Sequence, residues 1–212
     1  MRSSMVSPQK PGRPSEEEVR SVVERIVDGV LPPDRTRDDS PGTEPQIETS
    51  PRPGSATIAI GADHGGFPLK ERIAFKLKEA GWEVTDCGTH SHEPVDYPDF
   101  AHAVAQKVAS GECRWGIAID GAGIGSAMVA NKVPGVRAAT CYDLSSARNS
   151  REHNHANVLC LGAGLIGEAL AWQIVEVWLT TEWAGGRHAR RVSKIDAIER
   201  TILQGGMRAH NR

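Results

Sequence analysis

The sequence lacks any apolar run long enough to cross a membrane, and it lacks an excess of charge of either sign. No apolar stretch approaches the roughly 18 residues that a transmembrane helix needs, and the N-terminus has no basic-then-apolar secretion pattern. The 212 residues include 25 Lys and Arg against 27 Asp and Glu. This near-neutral balance argues against nucleic acid as the main partner. We therefore expect the protein to bind neither membranes nor nucleic acids.

Cysteine is also scarce, and its spacing gives no sign of metal or redox chemistry. Cys87, Cys113, Cys141 and Cys160 form no C-x-x-C pair, and most lie in or beside apolar, strand-like runs. We expect buried, reduced thiols without a disulfide, as is usual for a cytosolic protein. Two histidine pairs suggest a metal, His90 with His92 and His153 with His155. No Cys or carboxylate completes either ligand set, so we expect no metal.

The first 55 residues predict an amphipathic helix on a proline-rich tether. Ser15 and Glu18 form a capping box. Apolar residues then recur at helical spacing as far as the stop at Pro32: Val19, Val22, Val23, Ile26, Val27 and Val30. Residues 32–55 hold six prolines among polar residues, which predicts an extended, mostly disordered linker. Such a short helix is unstable alone in water and needs a partner surface.

The partner of this helix stays open. The helix can dock on its own domain or on a second copy, but a helix on a long tether can also bind something outside the domain. A short amphipathic helix, a Pro-rich linker and a following domain resemble the encapsulation peptides that carry enzymes into bacterial microcompartments. The resemblance implies a targeting helix within residues 1–31, a linker at 32–55, and a shell protein as the partner of residues 15–31. The expected location is cytoplasmic, inside such a compartment if this resemblance holds.

Residues 56–204 predict one α/β domain, and residues 205–212 a tail. Short β-branched and apolar runs alternate with segments of helical periodicity. The predicted strands are 57–61, 82–87, the run ending at 120, 136–141 and 158–161, and the predicted helices are 67–80, 97–109, one resuming at 127, 145–152 and 168–179. Regular alternation of this kind predicts a three-layer, Rossmann-like fold with a parallel sheet of about five strands.

The most informative stretch is residues 116–125, with the sequence GIAIDGAGIG. A short apolar strand ends at Asp120, and glycine then recurs at alternate positions. Glycines let the backbone approach a ligand closely, and free amides at a helix start attract negative charge. Ligands of parallel α/β folds bind beyond the carboxyl ends of the strands, where Asp63 and His64 also lie. Because a carboxylate repels phosphate, we expect Asp120 to face the reacting end of a ligand whose phosphate lies elsewhere.

Five further motifs follow one another along the domain. They are GADHGGFPLK at 61–70, DYP at 96–98, ANKVPGVRA at 130–138, SREHN at 150–154 and GGRHARR at 185–191. Together they resemble the ribose-5-phosphate isomerase type B family, which includes galactose-6-phosphate isomerase subunits. The resemblance runs from about residue 57 to about residue 199. It implies aldose to ketose interconversion of sugar phosphates through a cis-enediolate, without a cofactor, with ribose 5-phosphate to ribulose 5-phosphate first among the candidates.

The resemblance also implies a role for each motif. The catalytic residues would be Asp120, as the proton-transfer base, and His153, which assists ring opening. The sugar-binding residues would be Asp63, His64, Gly121, Gly123, Ile124, Gly125 and Asn154, and the phosphate-binding residues Arg187, His188 and Arg191. Guanidinium groups suit a phosphate dianion, and loop amides at 121–125 suit a developing oxyanion. The family further implies a homodimer or a dimer of dimers, with pockets shared between chains.

Several positions depart from the family's pattern. Much of the family has Cys where this chain has Asp120, and Ala122 replaces a Ser or Thr whose hydroxyl assists. Some members without that Cys use a Glu at the position of Ser126. Arg is common at the position of Gly164, so its loss implies weaker phosphate binding, a different sugar phosphate, or compensation by Arg190. An unperturbed Asp titrates near 3.9, so we expect burial to raise the pKa of Asp120 if it is to act as the base.

Two alternatives remain. Gly121-x-Gly123 after a strand, with Asp143 about 20 residues further on, imitates a dinucleotide-binding fingerprint. Its third small position is Ser126, however, and the strand is not the first of the domain. The other alternative is a non-catalytic relative that binds sugar phosphate, which the altered site positions suggest.

Overall fold

The structure of the protein, a computed structural model, describes the backbone of residues 56–210 and the side chains of residues 56–205. The elements in chain order are β1 (Thr57–Ala62), α1 (Phe67–Glu79), β2 (Glu83–Asp86), α2 (Tyr97–Ala109), β3 (Trp115–Asp120), α3 (Ile124–Ala130), β4 (Ala138–Thr140), α4 (Leu144–Glu152), β5 (Val158–Gly162), α5 (Glu168–Thr180) and α6 (Gly186–His210). The helix and linker predicted within residues 1–55 lie outside the described residues.

The strands form one parallel sheet in the order β2-β1-β3-β5-β4. The central strand β3 places Ile117 opposite Ile60 of β1 and opposite Leu159 of β5. This confirms the predicted five-stranded parallel α/β fold. The chain moves from β1 outward to β2 and then back across to β3, so the strand order reverses between β1 and β3. Ligands of such sheets bind at the carboxyl ends of the strands at this reversal.

The two faces of the sheet differ in side-chain size. Ile58, Ile60, Ile117, Ile119, Leu159 and Leu161 pack on α1 and α5. The opposite face carries smaller residues, Ala59, Ala118, Val158 and Cys160, which pack on α2 and α3. Gly116 lets α2 come close, because an added Cβ would lie 2.6 Å from Cγ1 of Val104. The strand alternation therefore explains why helices cover both faces.

Helix α6 was not among the helices predicted from the sequence. The predicted domain boundary at residue 204 falls inside it, since the helix continues to His210. Two polar contacts tie it to the segment before β4: the amide of Gly135 donates to the carboxylate of Glu199 (3.0 Å), and Arg137 Nη1 donates to Oδ1 of Asp196 (3.3 Å). These contacts join distant parts of the chain, so no local pattern indicated them.

The burial predicted for most of the cysteines is confirmed. All four thiols are free; Cys113, Cys141 and Cys160 are buried, and Cys87 is partly buried. Burial, together with the neighbouring Cys113 thiol and Asp86 carboxylate, raises the pKa of Cys87 to about 11. Within residues 56–205, no group of three or more His, Cys, Asp or Glu side chains is placed to hold a metal ion. None of the described helices has the length and apolar character of a membrane span.

Candidate active site

The loop after β3 folds around the side chain of its own aspartate. Asp120 ends β3 and is only 5% exposed. Its Oδ1 accepts hydrogen bonds from the amides of Ala122 (2.7 Å) and Gly123. Its Oδ2 accepts from the amide of Ser126 (2.9 Å) and from the Ser126 hydroxyl (2.5 Å). A carboxylate has about four lone-pair sites, so the chain itself occupies all of them.

These hydrogen bonds lower the pKa of Asp120. Burial is the largest single influence and would raise the pKa, but the bonds from the Ser126 hydroxyl and from the amides of Gly123, Ser126 and Ala122 together outweigh it. The expectation of a raised pKa was wrong, because it counted desolvation without the donors that the loop supplies. The base role of Asp120 stays a prediction.

The helix after the loop begins earlier than the sequence predicted. Gly123 adopts φ 76°, and α3 starts at Ile124. The amides of Ile124 and Gly125 therefore lie in the first turn, and among the described residues neither they nor the amide of Gly121 have an acceptor. Of the amides predicted as oxyanion donors, those of Ala122 and Gly123 instead bind Asp120. The other three have no hydrogen-bond acceptor among the described residues.

Two tyrosines contact this loop. The hydroxyl of Tyr142, just after β4, donates to the carbonyl of Ala122 (2.7 Å). The ring of Tyr97, at the start of α2, lies against Gly125, where an added Cβ would come within 2.6 Å of the ring. Sequence reasoning missed both contacts, because they join residues that are distant along the chain.

Asp63 and His64 lie at the same edge of the sheet, after β1. Asp63 Oδ1 accepts a hydrogen bond from the amide of Gly66 (2.8 Å) and so fixes the turn into α1. Nδ1 of the exposed His64 lies 3.2 Å from the amide nitrogen of Val95 and 3.1 Å from its carbonyl oxygen. Since β1 and β3 are neighbours at the reversal of strand order, the structure brings these two residues to the same edge as the Asp120 loop.

An ion pair between a buried lysine and a more exposed aspartate, behind this edge, was not predicted. Lys70, in the first turn of α1, is fully buried, and its Nζ contacts both carboxylate oxygens of Asp86 (2.8 and 2.6 Å) and Oε1 of Glu71 (3.0 Å). Asp86 ends β2 and also accepts from the amide of Gly88 (2.8 Å). The ion pair thereby fixes the start of the segment after β2, and Val95 in this segment contacts His64. A lysine is seldom fully buried unless it is paired, so the sequence alone gave no reason to place it there.

A second group of predicted residues gathers around the C-terminus of α4. The ring of His153 stacks on that of His188, with centroids 4.1 Å apart and planes 3° apart. Arg187 Nε donates to Nε2 of His188 (3.3 Å), and the amide of Ala184 donates to the carbonyl of Glu152 (3.1 Å). These contacts join the end of α4 to the start of α6. Asn154, next in the chain, is exposed and donates to the Asn149 carbonyl (3.2 Å).

The charge of this second group suits an anion. Arg187 and Arg191 are exposed, whereas His188 is 8% exposed. Burial and the nearby His153, Arg187 and Arg191 lower the pKa of His188, against a smaller opposite effect of Glu152. Nε2 of His188 accepts from Arg187, which also favours the neutral ring. The group therefore offers two guanidinium cations beside the imidazole of His188, whose pKa is lowered.

The Asp120 loop and the group around His153 lie at opposite ends of the strands. We call the carboxyl and amino ends of the strands the two edges of the sheet. In a parallel sheet each connecting helix runs back against the strands, so α4 ends where β5 begins, at Val158. Asp120 pairs instead with Gly162, at the other end of β5. A strand of five residues spans about 15 Å at ~3.3 Å per residue. The structure therefore does not bring His153, Asn154, Arg187 and Arg191 to the Asp120 loop of the same chain.

Comparison with known proteins matches this arrangement to one family. Residues 58–195 match the family described as Ribose/Galactose Isomerase. The chain belongs to this family. It is 49% identical over 142 residues to the ribose-5-phosphate isomerase B of Escherichia coli strain K12, covering 67% of this chain and 95% of that protein. It is 43% identical over 147 residues to the D-erythrulose-4-phosphate isomerase of Pectobacterium atrosepticum strain SCRI 1043, covering 68% and 95%.

The fold agrees with solved structures of the family. The ribose-5-phosphate isomerase B of Clostridium thermocellum superposes with a TM-score of 0.68 at 55% identity, covering 69% of this chain and 99% of that one. The dinucleotide-binding alternative gains no support from the geometry. The glycine loop follows the third strand of the domain rather than the first, and two of its amides already bind the carboxylate of Asp120.

Proposed function

We propose that this chain is an aldose–ketose isomerase of phosphorylated sugars, and that it converts ribose 5-phosphate to ribulose 5-phosphate without a cofactor. The observation that carries the proposal is the set of unengaged amides at Gly121, Ile124 and Gly125, beside Asp63 and His64, at the reversal of strand order. An enediolate intermediate carries negative charge on its oxygens. Fixed amide donors aimed at that charge stabilise it more in the transition state than in the ground state.

The phosphate of the sugar belongs at the other group of residues. Gly164 offers no cation beside the loop, and the Asp120 carboxylate repels a second anion there. Arg187 and Arg191 are exposed in the first turns of α6, with the exposed Arg190 between them as a further cation. We assign the phosphate to this group, where guanidinium pairs bind a dianion well.

A complete pocket then requires two chains. The loop and the arginine group lie at opposite edges of one sheet, so a sugar phosphate spans them only when the arginine edge of one chain faces the loop edge of another. A homodimer with two such pockets satisfies this requirement. Helix α6 also exposes Ile195, Ile198 and Ile202 at successive turns, which supports association with a second apolar surface.

Residues at the two edges of the sheet carry out different steps of the reaction. His153 of one chain assists opening of the furanose ring, and Asn154 binds the reacting end of the sugar. The amides of Ile124 and Gly125 of the other chain stabilise the enediolate. The predicted role of Asp120 as the base that moves a proton between C1 and C2 is tested separately by Asp120→Asn.

Turnover of a panel of sugar phosphates tests the function. We expect the full-length protein to isomerise ribose 5-phosphate without an added nucleotide or metal. D-erythrulose 4-phosphate belongs in the panel because a relative is named for it. A second reason to test several sugar phosphates is that Ala122 and Gly164 depart from the family's pattern. Preference for another member of the panel would change the substrate but keep the reaction. Binding of these sugars without turnover of any of them would favour a non-catalytic, sugar-phosphate-binding relative.

We further propose that residues 15–31 are a targeting helix, which delivers the enzyme to a bacterial microcompartment by binding a shell protein. The support is the apolar stripe from Val19 to Val30 and the six prolines that follow within residues 32–55. Deletion of residues 1–53 should leave the melting temperature and the rate constants nearly unchanged while abolishing recruitment of the enzyme to the shell. A large fall in melting temperature would show instead that the helix packs on the domain.

A further inference from the structure

The carboxylate of Asp120 accepts four hydrogen bonds from its own loop and from the start of α3. We propose that Asp120 is a positioning residue, a built-in anion that fixes the loop so that the amides of Gly121, Ile124 and Gly125 face the sugar. The proposal rests on the isomerase function proposed above and assigns Asp120 a role different from that of the proton-transfer base.

The hydrogen bonds of the Asp120 carboxylate span the loop from Ala122 to Ser126. Oδ1 holds the amides of Ala122 and Gly123, and Oδ2 holds the amide and hydroxyl of Ser126. The carboxylate therefore clamps the loop to the first turn of α3. Ser126 is only 1% exposed, so these donors would lack a partner if the carboxylate were absent, and buried unpaired amides are costly.

Backbone hydrogen bonds hold the loop to the segment after β5. The carbonyl of Asp120 accepts from the amide of Ala163 (2.8 Å), and that of Gly121 accepts from the amide of Gly164 (2.9 Å). The loop is thus fixed to the segment after β5 by its backbone and to α3 by the Asp120 side chain. With both sides held, the three unengaged amides keep fixed directions, as donors to a developing oxyanion require.

The Asp120 carboxylate has no free lone pair, because its four hydrogen bonds occupy all of them. A general base needs an acceptor atom within hydrogen-bond reach of the proton that it removes. Both oxygens of Asp120 already accept two hydrogen bonds each from Ala122, Gly123 and Ser126, and the residue is 5% exposed. To act as the base, the carboxylate would have to release a donor that holds the loop in place.

Anion rescue of Asp120→Ala distinguishes the two roles. The substitution leaves a space lined by the Ala122, Gly123 and Ser126 donors, and we test it with sodium formate and sodium nitrate. Both anions are planar and accept hydrogen bonds, but only formate is basic enough to take a proton. A positioning role predicts that both anions restore turnover of ribose 5-phosphate by similar factors. It also predicts that both raise the melting temperature of the variant, with saturation, while neither changes the wild type at matched ionic strength.

Two results would overturn the proposal. Restoration of turnover by formate alone would give Asp120 the base role. Failure of both anions to change either turnover or melting temperature would show that an anion at this position is not what the loop needs. The melting temperatures are independent of catalysis. If the wild type turns over no sugar phosphate, the proposed function fails, while the stabilisation of Asp120→Ala by both anions still decides the positioning role.

A second pair of variants covers the case in which Asp120→Ala does not fold. Asp120→Asn keeps one acceptor oxygen, so a positioning role predicts a loss in kcat of about 10- to 100-fold, as expected for a displaced catalytic loop. Ser126→Ala removes one of the four donors, and a loss of about 5-fold is expected for one hydrogen bond of ~1 kcal/mol. A loss above about 10³-fold in Asp120→Asn, with Ser126→Ala near wild type, indicates a base and contradicts the proposal.

Discussion

Burial raises the pKa of the Asp120 carboxyl group and hydrogen bonding lowers it, and the hydrogen bonds have the larger effect. Because the pKa is lowered in the fold, the ionised form stabilises the protein above the ordinary carboxyl pKa of about 3.9. This contribution is lost as the pH falls through the lower pKa of the folded state. The loop is therefore expected to weaken in acid.

Asp120→Asn measures this linkage. At pH 7 we expect the free energy of unfolding of the variant to be about 2–3 kcal/mol lower than that of the wild type, since the variant loses hydrogen bonds to a charged acceptor. Between pH 5 and pH 3 the gap should narrow, because the unfolded wild-type chain binds a proton at Asp120 in this range while the folded carboxylate, with its lower pKa, stays ionised. Urea unfolding at each pH gives the comparison. A gap that widens as the pH falls would mean that the pKa of Asp120 is raised.

Glycine is required at one position of the loop and not at its neighbour. Gly123 has φ 76°, and an added Cβ would lie 2.8 Å from the carbonyl carbon of Leu161, whereas nothing lies within 4 Å of a Cβ added at Gly121. Gly123→Ala should therefore lower the free energy of unfolding by about 2 kcal/mol or more, from the backbone conformation and the clash together. Gly121→Ala is the matched control and should unfold like the wild type. Equal urea midpoints for the two variants would contradict this geometry.

At the scale of elements, the contact between α4 and α6 makes His188 sensitive to its neighbours. Burial first, and then the charges near it, lower the pKa of His188. The unfolded chain therefore binds the proton more readily than the fold does, so His188 makes the protein less stable as the pH falls below about 6.5.

Arg187→Gln tests the origin of this shift. It removes one cation that opposes protonation of His188 while burial, His153, Arg191 and Glu152 remain, so the pKa of His188 should rise part of the way towards its ordinary value. An NMR titration of the His188 ring protons measures the change. An unchanged titration would show that the guanidinium of Arg187 does not act on the ring.

Periodicity predicted most elements of the domain correctly, and the contacts between elements mostly escaped it. The start of α2 at Tyr97 was predicted because helical periodicity is a local feature, but the packing of Tyr97 on Gly125 depends on the sheet order. The Lys70–Asp86 pair was missed for the same reason. The place of Asp120 at the end of a strand was predicted correctly, but its pKa depends on donors that only the folded loop supplies.

At the scale of the whole molecule, the sheet separates the predicted site into two halves. Asp63, His64 and the Asp120 loop lie at the carboxyl edge, and His153 and the arginine group at the amino edge. A strand of five residues between them, about 15 Å, exceeds the reach of a side chain across the sheet. The family resemblance implied the residues of both halves from the sequence. The sheet topology shows that, within one chain, the two halves lie at opposite ends of the strands.

Mixing two inactive variants tests whether chains share their pockets. His64→Ala damages the carboxyl edge and His153→Ala the amino edge, so each homodimer should have little activity. In a dimer that contains one chain of each kind, one pocket receives both damaged residues and the other receives neither. Random exchange in an equal mixture makes half of the dimers mixed, so about a quarter of all pockets should be intact and activity should return to about a quarter of the wild-type value. Differently tagged chains verify that mixed dimers form. Mixed dimers that stay inactive would show that each chain uses its own two edges, and a shared pocket would then be wrong even if the protein is an isomerase.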